Sequence, residues 1–160
     1  MEIHGTHHYD HSLETVFKCF GDKDATIRRF TALGSRNINI ETLKQTKTSM
    51  DMVIHREDPV DAPTVLKKIF GEWSTVTQEE HWKGSVAKGY SGELKFVIKG
   101  VPLTITGHFT LQGDSKSCVN EITMKFESNI PLIGKKLAEF VATQAKAQMQ
   151  KEYELILEDF

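Results

Sequence analysis

From Pro131 to Phe160 the chain has one proline at the start, one glycine at Gly134 and no helix breaker afterwards. The segment predicts a single helix. At 1.5 Å rise per residue that helix is roughly 40 Å long. A rod of that length needs a long surface to lie on. The residues before it supply one, as strand-like runs of about ten residues, each roughly 30 Å long. A long helix laid across a curved antiparallel sheet grips a space between the two.

The strands are read from period-two alternation. Met1 to Tyr9 predicts a strand with Ile3, Gly5, His7 and Tyr9 on one side. Ser12 or Asp10 then caps a short helix with Leu13, Val16, Phe17 and Phe20 on its apolar face, stopped at Gly21. Asp22 to Leu33 predicts a second helix facing inward through Ile27, Phe30 and Leu33. From Ser35 the period becomes two. Ile38 and Ile40 mark one strand, and Met50, Met52 and Ile54 the next. Pro63 to Phe70 predicts a short helical turn. Trp73 to Trp82 carries Val76, Gln78, Glu80 and Trp82 on one face. Val86 to Ile98 carries Tyr90, Gly92, Leu94, Phe96 and Ile98. Ile105, Gly107, Phe109 and Leu111 share a face, as do Ile122, Met124 and Phe126. Such alternation is the mark of an antiparallel sheet with one buried face. The fold class is therefore α+β, in the order β-α-α-β6-α. No repeat or linker interrupts it, so residues 1–160 are expected to form one domain.

Charge and composition exclude several functions. With 20 Lys and Arg against 22 Asp and Glu, the net charge is -2, which gives no electrostatic support for nucleic-acid binding. No apolar run approaches the ~20 residues of a membrane span, and Met1-Glu-Ile-His-Gly is not a signal peptide. Cys19 and Cys118 sit in apolar segments and read as reduced, buried thiols, so a cytoplasmic location is expected. His4, His7, His8 and His11 read as exposed strand and turn residues. His4 and His8 share a face but lie roughly 13 Å apart on a strand, so no metal is expected. No cofactor fingerprint is present.

The opening His8-Tyr-Asp-His-Ser-Leu-Glu-Thr-Val-Phe17 and the closing Ile130-Pro-Leu-Ile-Gly-Lys-Lys-Leu137 are similar to the bacterial DUF2505 family. The order of elements, over the whole chain, resembles the START-like or Bet v 1-like (SRPBCC) superfamily with its helix-grip fold. The resemblance implies an internal cavity for lipids, sterols, polyketides or other apolar molecules. It does not imply catalysis.

The walls of such a cavity come from the inward sheet face: Met52, Ile54, Trp82, Tyr90, Leu94, Phe96, Ile105, Phe109, Ile122, Met124 and Phe126. Aromatic and methionine side chains suit shape-tolerant apolar binding. On the long helix, centring the inner face on Leu137 places Phe140, Val141, Gln144, Gln148, Lys151, Glu152 and Leu155 within about 60° of it. Two glutamines in a dry core would each cost about 1–3 kcal/mol, so Gln144 and Gln148 are expected to meet water or a ligand's oxygens. The alternative is a rolled helix facing inward through Ala145, Met149 and Ile156.

The leading expectation is a binding or transport protein for a small hydrophobic or amphipathic molecule, with no catalytic residue. The runner-up is a cyclase-, aromatase- or hydrolase-like enzyme, for which Tyr90, Glu80 and His55 are the candidates. A third reading is a protein-interaction or membrane-docking module, with Asp58 to Phe70 and the Ile130 to Lys136 entrance as contact surfaces, where Lys135 and Lys136 beside Leu132 and Ile133 would make transient contact with an anionic membrane surface. The sequence sets no oligomeric state.

Overall fold

A computed structural model describes residues 1–160. The elements are β1 (Glu2–Tyr9), α1 (Leu13–Phe20), α2 (Lys23–Ala32), β2 (Arg36–Gln45), β3 (Ser49–Pro59), a 3-10 turn (Thr64–Leu66), β4 (Trp73–Ser85), β5 (Gly89–Ile98), β6 (Thr104–Gly113), β7 (Cys118–Glu127) and α3 (Gly134–Glu158). All seven strands form one sheet in the order β1-β7-β6-β5-β4-β3-β2. Every neighbouring pair is antiparallel. This is the α+β helix-grip architecture. No helix is long and apolar enough to cross a membrane.

Local chemistry sets the element ends. Ser12 Oγ accepts from the Thr15 amide at 3.1 Å and caps α1, and Asp22 Oδ1 accepts from the Ala25 amide at 2.8 Å and caps α2. The α2 face differs from the expected one. Ala25, Thr26, Arg29 and Phe30 are buried, while Ile27 and Leu33 are only half-buried. An aromatic and an arginine stem over the sheet set the roll of this short helix.

The sheet brings its large side chains together through one glycine. Trp82 on β4 is opposite Gly92 on β5, and Gly92 is opposite Phe109 on β6. With no side chain between them, the Trp82 and Phe109 rings stack at 4.8 Å and 3°. A Cβ at Gly92 would lie 2.6 Å from the Trp82 ring. Gly92→Ala is therefore expected to cost about 1–3 kcal/mol by overpacking. Urea denaturation monitored by tryptophan emission reads both the cost and the displaced indole.

The C-terminal helix starts at Gly134, three residues later than the sequence predicts. Pro131 to Ile133 form a turn, and Leu132 there has φ +71°, a region that costs a leucine backbone strain. Gly134 follows because a Cβ there would come within 3.0 Å of the Ser128 carbonyl. The remaining 25 residues span about 37 Å. The helix packs on β1, β7 and α2, toward one edge of the sheet, and leaves the inner faces of β3 to β6 partly uncovered.

Candidate functional site

Between α3 and the sheet lies a cavity of about 250 Å³. Its size follows from the roll and offset of α3. Leu137, Ala138, Val141, Ala142 and Ile156 are buried on the helix. Lys151 points to water and Leu155 is half-buried, while Ala145, Met149 and Ile156 join Phe140, Val141, Gln144 and Gln148 on the cavity wall, so the inner face is shared between the face centred on Leu137 and the rolled one. Of the small residues on this helix, Ala145 lines the space and fills little of it.

Of the residues expected to form the walls, Met52, Trp82, Leu94, Phe96, Ile105 and Phe109 line the cavity, as do Ile122, Met124 and Phe126. Phe140, Val141, Gln144 and Gln148 line it from α3. Pro59 and Gln144 are the exposed members of the wall and mark where it meets water.

Two expected wall residues lie elsewhere. Ile54 packs with Phe30 in a separate cluster beneath α2. Tyr90 is stacked on Phe17 at 3.7 Å, and its hydroxyl donates to the Lys47 carbonyl at 2.7 Å, which turns it toward α1. Both share the inward parity, but each sits where a short helix, rather than the cavity, covers the sheet.

The polar groups were less legible. Arg56 continues the Met50, Met52, Ile54 parity on β3 and is buried. Its Nε donates to both oxygens of Asp58 at 3.1 Å, and its Nη1 donates to Gln78 Oε1 at 2.8 Å. The guanidinium lies 4.2 Å from the Phe30 ring centroid. Gln78 Nε2 donates in turn to Glu80 Oε2, and Trp82 Nε1 donates to Glu80 Oε1 at 3.0 Å. Ser35 Oγ donates to Asp58 at the far end of the chain. A polar ladder thus runs along the cavity floor from Asp58 to Trp82, with Ser35 behind its end. Glu80 lies under cover on the inner face. Burial pushes its carboxyl above the ordinary value of 4.5, against the two donated hydrogen bonds.

A second polar group closes the cavity beside β1. His7 is 6% exposed and stacks on Tyr153 at 4.2 Å and 1°, contrary to the expectation that the N-terminal histidines are exposed. Burial lowers its titration from 6.5 to about 4. Tyr9 and Asn120 share this wall, with Arg29 and Glu152 opposite. His55 is on the outer face, against Thr77 and Glu41. No group of three or more His, Cys, Asp or Glu can hold a metal ion. Tyr9 shares the parity of Ile3 and His7 on β1, whereas Arg29 lies off the Ile27, Phe30 and Leu33 face expected for α2. Arg56 and Asn120 were readable by extending the alternation of their strands one step.

A cavity of this size has an energetic consequence. At about 24 cal/mol per Å³ of core void, 250 Å³ costs roughly 6 kcal/mol if dry, beside a total stability of about 5–15 kcal/mol. Water at the polar ladder or a guest along the apolar wall offsets that cost.

A long helix over a curved antiparallel sheet, with a cavity between them, is the helix-grip fold of START-like and Bet v 1-like proteins. Solved structures of this class match along nearly the whole chain. The Zhui aromatase/cyclase from Streptomyces sp. R1128 has a TM-score of 0.63 at 12% identity, covering 99% of this chain and 92% of its own. A START superfamily protein from Mycobacterium smegmatis has a TM-score of 0.55 at 10% identity, covering 99% and 95%. Human STARD10 has a TM-score of 0.61 at 15% identity, covering 98% of this chain and 63% of its own. At these identities the likeness is one of fold. The chain belongs to the DUF2505 family, described as protein of unknown function, whose profile matches residues 4–158. No curated protein sequence matches it.

Proposed function

We propose that the protein binds a small apolar or amphipathic molecule in the cavity between α3 and the sheet. The observation that carries this reading is the 250 Å³ space walled by Trp82, Phe109, Phe126 and Met124 and floored by a hydrogen-bonded ladder. A 150 Å³ apolar cavity takes benzene, so this one suits a guest of about ten non-hydrogen atoms by the same filling. Both cysteines are free, which fits a reducing, cytoplasmic setting. Native mass spectrometry of the purified protein is expected to show a small co-purifying mass, or a one-to-one adduct with added butylbenzene. A protein that arrives empty and takes up no apolar probe contradicts the reading.

One observation favours catalysis as a second reading: Glu80 is a buried carboxyl held toward its neutral form inside the cavity, a pattern common in active sites. Both of its oxygens already accept from Trp82 and Gln78, and for this reason binding is placed first. Glu80→Gln separates the two. A binding protein keeps its guest, and the loss of stability that the raised carboxyl titration brings as the pH climbs above about 4.5 disappears from its stability curve. An enzyme keeps its guest and loses turnover.

Entry from a membrane surface is supported at one end of the molecule. Leu132 is 98% exposed and Val65 53% exposed. The exposed Lys67 and Lys68 and the exposed Lys135 and Lys136 flank the Phe70–Phe140 contact, 5.4 Å between rings, and both rings belong to the cavity wall. Co-flotation with phosphatidylserine vesicles is expected to fall with added salt and with Leu132→Asp. Equal recovery with neutral vesicles, or indifference to Leu132→Asp, contradicts it.

A further inference from the structure

Three buried side-chain polar atoms have no hydrogen-bond partner: Tyr9 Oη, Arg29 Nε and Asn120 Oδ1. All three residues line the same cavity. Buried polar groups are ordinarily paired, and leaving one unpaired costs about 1–3 kcal/mol. Three such atoms on residues that line one cavity therefore mark a place built to receive hydrogen bonds from outside the chain.

The fold places them together. His7 is opposite Asn120, and Tyr9 opposite Cys118, in the β1–β7 ladder, so Tyr9 and Asn120 are diagonal inward neighbours, about 7–8 Å apart at the backbone. Arg29 lines the same cavity from α2, with Nε 3.9 Å from Glu152 Oε1. Glu152 also bears on Tyr9 electrostatically. The set offers donors, the Tyr9 hydroxyl and the Arg29 N–H, and one acceptor, the Asn120 carbonyl.

The charges nearby are already matched. Arg29 Nη1 lies 3.4 Å from Asp159 Oδ2, and Arg56 is paired with Asp58 at 3.1 Å. Glu80 and Glu152 face the same space. An incoming carboxylate or phosphate would find no unmatched cation and would be repelled by these carboxyls. A hydroxyl can both accept from Tyr9 and donate to Asn120, and it brings no charge.

Resting on the binding reading above, we propose that Tyr9, Asn120 and Arg29 form a subsite for an uncharged hydroxyl on an otherwise apolar guest. The cavity thereby selects a neutral alcohol or phenol over both the plain hydrocarbon and the acid. A site that holds such a hydroxyl rejects the analogue lacking it, because the buried partners are then left unpaired.

Calorimetric titration at pH 7 with butylbenzene, 4-butylphenol and 4-butylbenzoate tests this directly. 4-Butylphenol is expected to bind at least about tenfold more tightly than either of the others, a difference of about 1.4 kcal/mol. Tyr9→Phe removes an unpaired hydroxyl, so it is expected to leave the melting temperature of the free protein unchanged or raised while erasing the preference for the phenol. Asn120→Leu is a second variant with the same expected loss of preference. Equal binding of butylbenzene and 4-butylphenol, with Tyr9→Phe without effect, overturns the subsite and leaves the binding reading standing; ordered water alone then pairs these atoms. Tightest binding of 4-butylbenzoate overturns the neutral selectivity. Failure of all three to bind overturns the binding reading, and the subsite with it.

Discussion

Arg56→Met is expected to lower stability by about 3–5 kcal/mol, the cost of stranding one half of a buried ion pair. Arg56 is 3% exposed, and its removal leaves Asp58 with only Ser35 and leaves Gln78 Oε1 without its donor. The double variant Arg56→Met, Asp58→Leu removes the stranded carboxylate and is expected to recover part of the loss. Urea denaturation of wild type, both single variants and the double variant gives the coupling. Additive losses would mean that the pair contributes nothing as a pair. A loss below about 1 kcal/mol in the single variant would place the guanidinium in water, as in a surface ion pair. The same variant widens the cavity floor with an apolar side chain, so its effect on guest affinity separates the ladder's structural role from any role in binding.

The second large effect is acid lability centred on His7. Burial holds its titration at about 4, below the ordinary 6.5, so the unfolded chain binds the proton more tightly than the folded one. Stability is therefore full above pH 6.5 and falls as the pH drops toward 4. At about 1.4 kcal/mol for each tenfold in proton affinity, the loss reaches up to about 3 kcal/mol. His7→Phe keeps a ring for the stack on Tyr153 and removes the titration. The difference between the wild-type and His7→Phe stability curves is expected to open between pH 6.5 and 4 and to be flat above that range. Glu80, with its raised titration, acts in the opposite direction and appears equally in both curves. A difference curve flat across the whole interval would mean that His7 accepts its proton freely in the folded state.

Much of this frame was readable from the residue pattern, because a sheet with one covered face imposes a strict period of two. Trp82, Phe109, Met124 and Phe126 follow from parity alone. Parity says which side a residue faces, and it does not say which helix covers that point. Ile54 and Tyr90 face inward beneath α2 and α1, and only the tertiary placement of those helices removes them from the cavity wall. The roll of α3 was open for a similar reason. Its small alanines fit the sheet side more closely than the glutamines do, and packing shares the inner side between two faces that the sequence left nearly equal. Arg56 shows a different limit. An arginine at a core position reads as an error in the pattern until its partners Asp58, Gln78 and Phe30 are seen around it. His7 was misjudged because its cover, Tyr153, comes from the other end of the chain.

Binding requires that the space beneath α3 accept an apolar guest. Trp82 lines that space, and the second tryptophan, Trp73, lies against Arg36, 3.8 Å from its ring, outside the cavity wall. In a Trp73→Phe variant, Trp82 is the single indole and reports on the cavity alone. Titration with butylbenzene, excited where only the indole absorbs, is expected to change the Trp82 emission along a saturable one-to-one curve. An emission that stays constant, or drifts linearly without saturation, would show that no guest enters and would contradict the account.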